Sequence, residues 1–357
     1  MLRWAEVHLD RLLYNYRQVE KLSGPKKLIA VVKANAYGHG SVAVARFLQE
    51  QTAVSAFAVA TYAEGVQLRE AGIQRPIIVM SSTLEEELGR AREFRLMPVV
   101  YDFWELERAK ELEVPFHVKL DTGMGRLGFL PSQWQELLCS LRGAKLAGVM
   151  THFPSADEDP EFTAGQAKLF GEFVKALKGA FPKLWVHCDN SAALPLGLNG
   201  LFTHSRVGLA LYGSKPFGGY PASLKQVMEV KARIISVKEL PPGHSVSYGR
   251  TYTTSGKERV GVVSFGYADG LPRSLSGRGS FIVNGRRCPI RGRVCMDMTV
   301  ISLEGVVAGK GGVATVTGLE LPFEELARLA GTIPYELMCR ISPRVERVYR
   351  GLQSLRT

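Results

Sequence analysis

Short apolar runs alternate with amphipathic segments between residues 27 and 213. Eight of these runs are four or five residues long and apolar on both faces, which is typical of buried parallel strands. They are Leu28–Val32, Phe57–Ala60, Ile77–Met80, Met97–Val100, Phe116–Leu120, Leu146–Met150, Leu184–His187 and Val207–Leu211. The segments between them, such as Ser41–Glu50 and Ala164–Leu177, have apolar residues at helical spacing. Eight successive strand–helix units predict a (β/α)8 barrel of the TIM type. A doubly wound open sheet is the competing architecture, but the first run lacks the GxGxxG turn of a dinucleotide-binding sheet.

The pattern of apolar residues changes after about residue 225. Further stretches have the pattern of strands and are separated by turn signals such as Asp269–Gly270 and Asn284–Gly285. These stretches are Val230–Val237, Arg259–Phe265, Gly279–Val283, Arg293–Leu303 and Gly312–Thr317, followed by a helical segment near Pro322–Ala330. We therefore expect a barrel domain over residues 1–224 and a mostly-β domain over residues 225–357. Trp4–Leu9 is also strand-like, and we expect residues 1–9 to pair with the second domain.

Composition narrows the class of protein. The chain has 357 residues, of which 46% are apolar and 22% charged, as in ordinary globular proteins. No apolar run is long enough to span a bilayer, and the charged first ten residues do not resemble a secretory signal. The five cysteines form no CxxC pair, so we expect neither a disulfide framework nor a metal site, and a cytoplasmic location fits best. The net charge of +11 is spread along the chain without a recognition motif, so nucleic-acid binding is not expected.

Unusual polar residues cluster where the predicted barrel strands end. Active sites of such barrels lie at the C-terminal ends of the strands. Core polar residues distributed at random would not sort in this way, so the sequence predicts an active site on that rim. The residues are Lys33 after the first strand, Lys119, Asp121 and Arg126 after the fifth, Thr151 and His152 after the sixth, His187, Asp189, Asn190 and Ser191 after the seventh, and His204 and Arg206, which flank the start of the eighth.

Lys33 is the first candidate for covalent catalysis. Desolvation and neighbouring positive charge lower the pKa of a lysine in such a position, which makes the free amine available as a nucleophile toward an aldehyde. A lone lysine at a strand end more commonly extends its ammonium group into solvent. The surrounding segment VVKANAYGHG (residues 31–40) favours the catalytic interpretation.

The same segment resembles the cofactor-attachment segment of the bacterial alanine racemases, which are barrel-type enzymes that use pyridoxal 5'-phosphate (PLP). One such string would say little, but further segments resemble the family in the same order and with compatible spacing. They are WAEV (4–7), KLDTGMGRLGF (119–129), THF (151–153), DNSAAL (189–194), RVGLALYG (206–213), VSYGRTY (246–252), GYADGLPR (266–273) and RVCMDM (293–298). By this resemblance the chain is similar to the alanine racemase family over nearly its whole length.

The resemblance implies a reaction and a partner. Lys33 is expected to carry PLP and to act as the base on one face of the substrate Cα, with Tyr248 of the partner subunit as the acid/base on the other face. Two positioned groups suit racemisation, because one proton leaves one face and another arrives on the opposite face. Arg206 and His152 are expected to supply the positive network that helps Tyr248 ionise. The implied activity is interconversion of L-alanine and D-alanine for peptidoglycan, by a homodimer with shared active sites.

The resemblance also implies how the cofactor is held. Arg206 is expected to face the pyridine nitrogen and to keep it unprotonated, because an arginine does not give up its proton. That arrangement weakens the electron sink and restrains side reactions such as transamination. The phosphate is expected to be held by Tyr37, Ser191 and backbone N–H groups near Gly208 and Leu209, since the loops after the seventh and eighth strands are the usual phosphate site of this fold. The implied cofactor-binding residues are Lys33, Tyr37, His152, Ser191, Arg206, Gly208 and Leu209.

Substrate-binding and supporting residues follow from the same resemblance. Arg126 is expected to bind the substrate carboxylate, together with the backbone N–H of Met296 of the partner subunit. Lys119 is carbamylated in many relatives and would then fix Arg126; pairing of Lys119 with Asp121 is the alternative. His187 is expected to be either a supporting residue or a satisfied core histidine. Tyr267 is expected to line the entrance to the site.

Pro343 departs from the family pattern. Several relatives have a tyrosine there that touches the phosphate and narrows the entrance, and proline has neither a hydroxyl nor a backbone N–H. The alternative function is therefore an amino-acid racemase of broader specificity, for example for serine, on the same fold. A non-catalytic PLP carrier would lack the second domain. A PLP decarboxylase of this barrel class would have a glycine-rich phosphate loop that the sequence lacks.

Overall fold

The structure, a computed structural model, describes residues 1–81, 84–198 and 200–351. After strand β1 (Arg3–His8), a series of parallel strands follows along the chain. They are β2 (Lys27–Val31), β3 (Ala56–Val59), β4 (Ile77–Val79), β5 (Met97–Val100), β6 (Phe116–Lys119), β7 (Leu146–Met150), β8 (Trp185–His187) and β9 (His204–Val207). Each pairs with the next and β9 pairs with β2, so the sheet closes into a barrel. The predicted (β/α)8 barrel is confirmed.

Helices connect most of the barrel strands. They are α1 (Leu9–Ser23), α2 (Lys33–Tyr37), α3 (Ser41–Gln51), α4 (Tyr62–Glu70), α5 (Glu85–Glu93), α6 (Phe103–Glu111), α7 (Trp134–Ser140) and α8 (Pro160–Lys178). The helical spacing within Ser41–Glu50 and Ala164–Leu177 corresponds to α3 and α8. Local signals fix the helix starts, because Thr61 and Glu64 form a capping box at α4 and Asp159 caps α8. None of the helices in the described part of the chain has the length and apolar character that crossing a membrane requires.

The predicted position of the eighth barrel strand is wrong. The strand is His204–Val207, not Val207–Leu211. After Val207 the chain forms a 3-10 turn, Leu209–Tyr212, in which all four residues are buried. A short apolar run is compatible with a buried strand and with a buried turn, so the pattern alone did not distinguish them. As a consequence, His204 and Arg206 lie within β9 instead of flanking its start.

The remainder of the described chain is mostly β, which confirms the expected second architecture. The strands are β10 (Met228–Leu240), β11 (Ser245–Val246), β12 (Tyr252–Thr253), β13 (Glu258–Val263), β14 (Ser280–Val283), β15 (Arg286–Pro289), β16 (Thr299–Ser302), β17 (Val313–Thr317) and β18 (Glu346–Arg350), and the helices are α9 (Phe323–Ala330) and α10 (Pro334–Arg340). The long β10 pairs with β1, β13 and β17.

The expected strand Arg293–Leu303 forms only as β16, because Cys295 N–H bonds to Met298 O and turns the chain there. Helix α10 has no counterpart in the prediction.

Strand β1 belongs to the second sheet although it precedes the barrel. Ala5 pairs antiparallel with Val230 of β10 and parallel with Arg347 of β18. Strands from the two ends of the described chain therefore lie side by side in one sheet. The division of the chain into domains at residues 224 and 225 stays a prediction.

The last strand is fastened to the loop that follows Lys33. Arg347 donates from Nε to Gly38 O at 2.9 Å, and its two Nη atoms donate to three main-chain oxygens in the segment just before β18 at 2.5 to 2.6 Å. The Tyr349 hydroxyl donates to His39 O at 3.3 Å. The second sheet therefore helps to position the barrel loop that carries Lys33.

Candidate active site

Lys33 follows β2 and begins a turn of left-handed backbone. The four residues after it, Ala34 to Tyr37, have φ angles between 51° and 53°. This conformation costs roughly 1–2 kcal/mol per residue for L-amino acids, and such strain concentrates at functional sites. Two side chains hold the turn, because Glu64 Oε1 accepts the N–H of Ala34 at 2.6 Å and Asn35 Oδ1 accepts an N–H at the start of α3 at 2.9 Å. The turn therefore fixes where the Lys33 side chain leaves the backbone.

Arg206, on β9, is held entirely by uncharged acceptors. Its Nη1 donates to His187 Nδ1 at 2.9 Å and to His187 O at 2.8 Å, and its Nη2 donates to Thr151 O, Cys188 O and His152 Nδ1 at 2.8 to 3.3 Å. No carboxylate among the described residues forms an ion pair with it, and burial lowers the pKa of Arg206 to about 10. The Nε atom has no partner in the described part of the chain, so its N–H is available to a ligand.

The two histidine rings that contact Arg206 are uncharged. Burial and the charge of Arg206 lower the pKa of His152 to about 3 and that of His187 well below its ordinary value. Arginine only donates, so Nδ1 of each ring accepts. His152 therefore contributes a hydrogen-bonding ring to Arg206 and no positive charge. His187 contacts Arg206 and also bonds to His117 at 2.7 Å, so it is a satisfied core histidine as well.

Main-chain and hydroxyl groups converge at the turn after β9. Ser191 Oγ accepts the N–H groups of Gly208 and Ala210 at 3.3 Å each. The Tyr37 hydroxyl approaches Gly208 so closely that a Cβ there would lie 2.5 Å from the oxygen, which is why the position requires glycine. The N–H of Leu209 has no partner among the described residues. Hydrogen-bond donors that converge at one turn in this way suit an anion of the size of phosphate. We call Tyr37, Ser191, Gly208 and Leu209 the phosphate cradle.

Four cationic side chains share this rim of the barrel. They are Lys33, Lys119, Arg126 and Arg206. Burial and the charge of Arg126 lower the pKa of Lys33, and they lower that of Lys119 to about 8. Within residues 1–81, 84–198 and 200–351, no salt bridge joins any of the four to a carboxylate. Bound anions relieve repulsion of this kind, so the site suits a ligand with several negative charges.

The carboxylate nearest in sequence, Asp121, shapes a turn and does not pair with Lys119. Its Oδ1 accepts the N–H groups of residues 123–125 at 2.7 to 3.1 Å, and its Oδ2 accepts the N–H of Arg126 at 3.0 Å. The alternative of a Lys119–Asp121 ion pair is therefore wrong. The Lys119 ammonium instead lies 5.8 Å from the centre of the Tyr101 ring.

Tyr248, Tyr267 and Met296 lie apart from these residues, on the surface of the second sheet. They are 70%, 43% and 52% exposed. Their loops contact one another, since Tyr267 N–H donates to Cys295 O at 3.0 Å and a serine hydroxyl beside Tyr248 bonds to the loop of Met296 at 2.6 Å. We call these three residues the exposed loop patch. The described residues show no contact between this patch and Lys33 within one chain.

Comparison with known proteins points to one family. Residues 7–216 match the family model of the alanine racemase N-terminal domain, and residues 227–349 match that of the alanine racemase C-terminal domain. The chain belongs to the alanine racemase family. The resemblance inferred from the sequence segments is therefore confirmed, and alanine racemases are in general PLP-dependent.

Individual alanine racemases agree with this assignment over nearly their whole length. The chain is 45% identical to the alanine racemase of Aquifex pyrophilus over 343 residues, which cover 96% of this chain and 97% of the relative. Its fold matches the solved alanine racemase of Clostridium difficile 630 with a TM-score of 0.92 at 34% identity, over 98% and 96% of the two chains. It also matches the alanine racemase of Bartonella henselae solved with covalently bound pyridoxal phosphate, with a TM-score of 0.90 at 27% identity, over 98% and 100% of the two chains.

Four residues that lie around the site were not identified from the sequence. They are Glu64, Tyr101, His117 and Tyr220. Glu64 was detectable, because the spacing Thr61-x-x-Glu64 is the signature of a capping box. Tyr101, His117 and Tyr220 carry no such signal. Tyr101 lies under Lys119, and the Tyr220 hydroxyl donates to Ser191 O at 2.9 Å. His117 lies opposite Gly148 just after a register shift between β6 and β7, a pairing that the sequence does not reveal.

Proposed function

We propose that this chain is a PLP-dependent alanine racemase that interconverts L-alanine and D-alanine, supplies D-alanine for peptidoglycan and acts as a homodimer. The observation that carries the proposal is the group of four cations around Lys33, which have no carboxylate partner among the described residues and lie beside a phosphate-sized cradle. The phosphate and phenolic oxygen of PLP and the carboxylate of an amino acid supply matching negative charge. We also propose a cytoplasmic location, because none of the five cysteines forms a disulfide.

The groups of the cradle fit the cofactor. Tyr37, Ser191 and the N–H groups at Gly208 and Leu209 would hold the phosphate. Burial raises the pKa of Tyr37, so its hydroxyl stays a donor at neutral pH. The Nε–H of Arg206, which has no partner among the described residues, would donate to the pyridine nitrogen. The covalently bound pyridoxal phosphate of the Bartonella henselae relative supports the same use of the site.

Lys33 and Arg206 would have different roles on the barrel side of the site, proton transfer for Lys33 and contact with the ring nitrogen for Arg206. PLP, when bound, draws electrons from the substrate Cα and so acidifies its proton. Lys33 would take or return that proton on one face, since burial and the charge of Arg126 lower its pKa and make the neutral amine accessible. Arg206 keeps its own proton, so the ring nitrogen would stay unprotonated and side reactions would be restrained. Arg126 would hold the substrate carboxylate.

The opposite face of the substrate is assigned to Tyr248 of the partner subunit. In a single chain Tyr248 is 70% exposed and lacks a contact with Lys33 among the described residues. It therefore cannot exchange a proton with a substrate bound at Lys33 of its own chain. A head-to-tail dimer would lay the exposed loop patch over the rim of the other barrel. Met296 of the partner subunit would then offer its N–H to the substrate carboxylate, and Tyr267 of the partner subunit would line the entrance. Arg206 would supply the positive charge on the barrel side of the site, because His152 is neutral.

Lys119 is proposed to be carbamylated. Its pKa of about 8 leaves part of the amine neutral at physiological pH. The ammonium group first loses one proton, and the neutral nitrogen then forms a bond to the carbon of CO2 as one C–O π bond opens and a second proton leaves. The two proton losses together convert a cation into an anion. The product would pair with Arg126 and reduce the repulsion among the four cations. A carbamate signal from 13C-labelled CO2 that disappears in Lys119→Met would support this modification, and its absence in the unmodified chain would refute it.

A racemase of broader specificity is the second candidate function, and Pro343 is the observation that favours it. Pro343 is exposed and brings no hydroxyl to the entrance. The ring of Tyr335 on α10 already lies near that of Tyr37, with ring centres 5.9 Å apart. We therefore keep alanine as the first substrate and treat a larger amino acid as an outcome of the test.

The test is an assay of D-amino-acid products. Purified protein loaded with PLP is incubated separately with L-alanine, L-serine and L-lysine, with Lys33→Ala as the control. We expect D-alanine as the main product and none from the control. Comparable rates with serine or lysine would establish the broader specificity, and no D-product from any substrate would overturn the proposed function.

A further inference from the structure

Two buried histidines continue the hydrogen bonds of Arg206 into the barrel interior. His187, at the end of β8, and His117, on β6, are both fully buried. Arg206 Nη1 lies 2.9 Å from His187 Nδ1, and His187 Nε2 lies 2.7 Å from His117 Nδ1. The three side chains therefore form one continuous row of hydrogen bonds.

The direction of every bond in this row follows from Arg206. A guanidinium group only donates, so His187 Nδ1 must present its lone pair. In the neutral ring the hydrogen then lies on Nε2, which donates to His117 Nδ1. The hydrogen of His117 must in turn lie on its own Nε2, which has no partner among the described residues. Both rings are thus fixed as neutral Nε2–H tautomers.

The packing around His117 holds its ring in this direction. His117 is the cross-strand partner of Gly148 on β7. A Cβ at Gly148 would overlap Nδ1 and Cε1 of the imidazole, so the ring occupies the space that any other residue would fill. On its other side, Trp185 meets the His117 ring edge to face, with centres 5.9 Å apart, and stacks on His204 at 4.3 Å.

We propose that His117 is a positioning residue for Arg206, acting through His187. By accepting from His187 Nε2, it keeps His187 Nδ1 as an acceptor, so that Nη1 of Arg206 stays engaged and Nε stays free for a ligand. Without this acceptor, the Nε2–H of His187 would be a buried donor with no partner, which disfavours the tautomer that Arg206 requires. The Nδ1–H tautomer would then point a hydrogen at the guanidinium donors and push Arg206 out of place. The inference rests on the proposed function only in taking the cofactor nitrogen as the ligand of Arg206.

His117→Asn and His117→Leu are a matched pair for testing this role. The two side chains are similar in size, and the Asn oxygen accepts a hydrogen bond close to the place of Nδ1, whereas Leu accepts none. Nitrogen-15 NMR of the histidine rings, recorded on the protein both with and without PLP, reports the tautomer of His187. The absorbance of the cofactor and the ratio of racemisation to transamination report the placement of Arg206.

The expected result is an Nε2–H tautomer of His187 in the unmodified chain and in His117→Asn. In His117→Leu we expect a mixed tautomer, an altered cofactor spectrum and a kcat lower by about tenfold with KM little changed, which is the size of one buried hydrogen bond. An Nδ1–H tautomer in the unmodified chain would overturn the proposal even if neither variant folds. Equal behaviour of the two variants would also overturn it. Failure of the unmodified chain to bind PLP would instead refute the proposed function, because the tautomer measurement does not depend on the cofactor.

Discussion

Glu64 fastens the backbone directly behind Lys33. Its Oε1 accepts the N–H of Ala34 at 2.6 Å, and its Oε2 accepts the N–H groups of Ala60 and Thr61 at 2.7 and 3.2 Å. One carboxylate therefore joins the end of β3, the start of α4 and the left-handed turn of the lysine. Because the turn is strained, an anchor of this kind is needed to hold it.

Replacing Glu64 with Gln should disturb this anchor in two ways. A glutamine amide has one acceptor oxygen where the carboxylate has two. Some of the N–H groups of Ala34, Ala60 and Thr61 therefore lose their acceptor, which lowers the free energy of unfolding by about 1–2 kcal/mol. The negative charge of Glu64 also raises the pKa of Lys33, so its removal should lower that pKa further. The rate at which the cofactor-free protein takes up PLP, followed against pH, should reach half its maximum at a lower pH than in the unmodified chain.

Thr61→Ala is the control for this prediction. It removes the hydroxyl that accepts the N–H of Glu64 at 3.3 Å and leaves the carboxylate in place. It should cost about 1 kcal/mol of stability, as the loss of a helix cap does, without moving the pH midpoint of PLP uptake. A midpoint that is unchanged or higher in Glu64→Gln would contradict the assigned role of Glu64.

The attachment site of the cofactor is open to direct chemical test. Reduction of the PLP-loaded protein with borohydride followed by peptide mapping should place the pyridoxyl group on Lys33. Lys119 is the competing amine, because its pKa of about 8 also makes it partly neutral. In Lys33→Ala we expect no pyridoxyl label, neither at position 33 nor on Lys119. Label on Lys119 in the unmodified chain would show that the attachment has been assigned to the wrong lysine.

Hybrid dimers test whether two chains share each active site. Lys33→Ala and Tyr248→Phe should each be nearly inactive, while Tyr248→Phe should keep the cofactor absorbance. Half of the dimers formed from an equal mixture are hybrids, and in each hybrid one of the two sites combines an intact Lys33 with an intact Tyr248. Unfolding and refolding the mixture should therefore restore about a quarter of the unmodified activity. If Tyr248 served its own chain, every site in the mixture would lack one group and no activity would return.

The parts of the site that the sequence predicted are those whose signal is local. The barrel followed from apolar runs buried on both faces, whereas the phosphate-binding residues Ser191 and Gly208 were implied by the resemblance of their segments to the alanine racemase family. The eighth strand was misplaced because the buried 3-10 turn Leu209–Tyr212 is as apolar as a strand. The role of His117 depends on its cross-strand neighbour Gly148, a contact between residues distant in sequence.

Restoring the missing tyrosine should sharpen substrate choice. Pro343→Tyr would add a phenol to the space around this exposed position, where several members of the family have a tyrosine. If that space governs side-chain size, the ratio of the rate with alanine to the rate with serine should rise several-fold, since one methylene or hydroxyl in a pocket is worth about 1–3 kcal/mol. Tyr335→Phe keeps the ring and should leave the ratio nearly unchanged. A ratio that stays constant in Pro343→Tyr would mean that position 343 does not govern specificity.

The buried histidines should make the fold sensitive to acid. Burial lowers the pKa of His117 and His152 to about 3, that of His39 and His204 to about 4, and that of His187 well below its ordinary value. All five are neutral in the folded chain at pH 6, whereas in the unfolded chain they titrate near 6.5. Their contribution to stability is therefore complete above pH 6.5 and is lost as the pH falls toward 4. Each should lower the free energy of unfolding by about 1.4 kcal/mol per pH unit in that range.

His117→Asn isolates one of these groups, because the variant removes a single titrating ring and leaves every carboxylate in place. Denaturant unfolding of both proteins at pH 7, 6 and 5, at equal PLP saturation, gives the slope of stability against pH. Below pH 6.5 the slope of the variant should be shallower by about 1.4 kcal/mol per pH unit, which corresponds to one proton fewer taken up on unfolding. Above that pH the two slopes should agree. Parallel slopes down to pH 5 would mean that His117 is already protonated in the folded chain, which is incompatible with its bond from His187, because a doubly protonated ring has no lone pair at Nδ1.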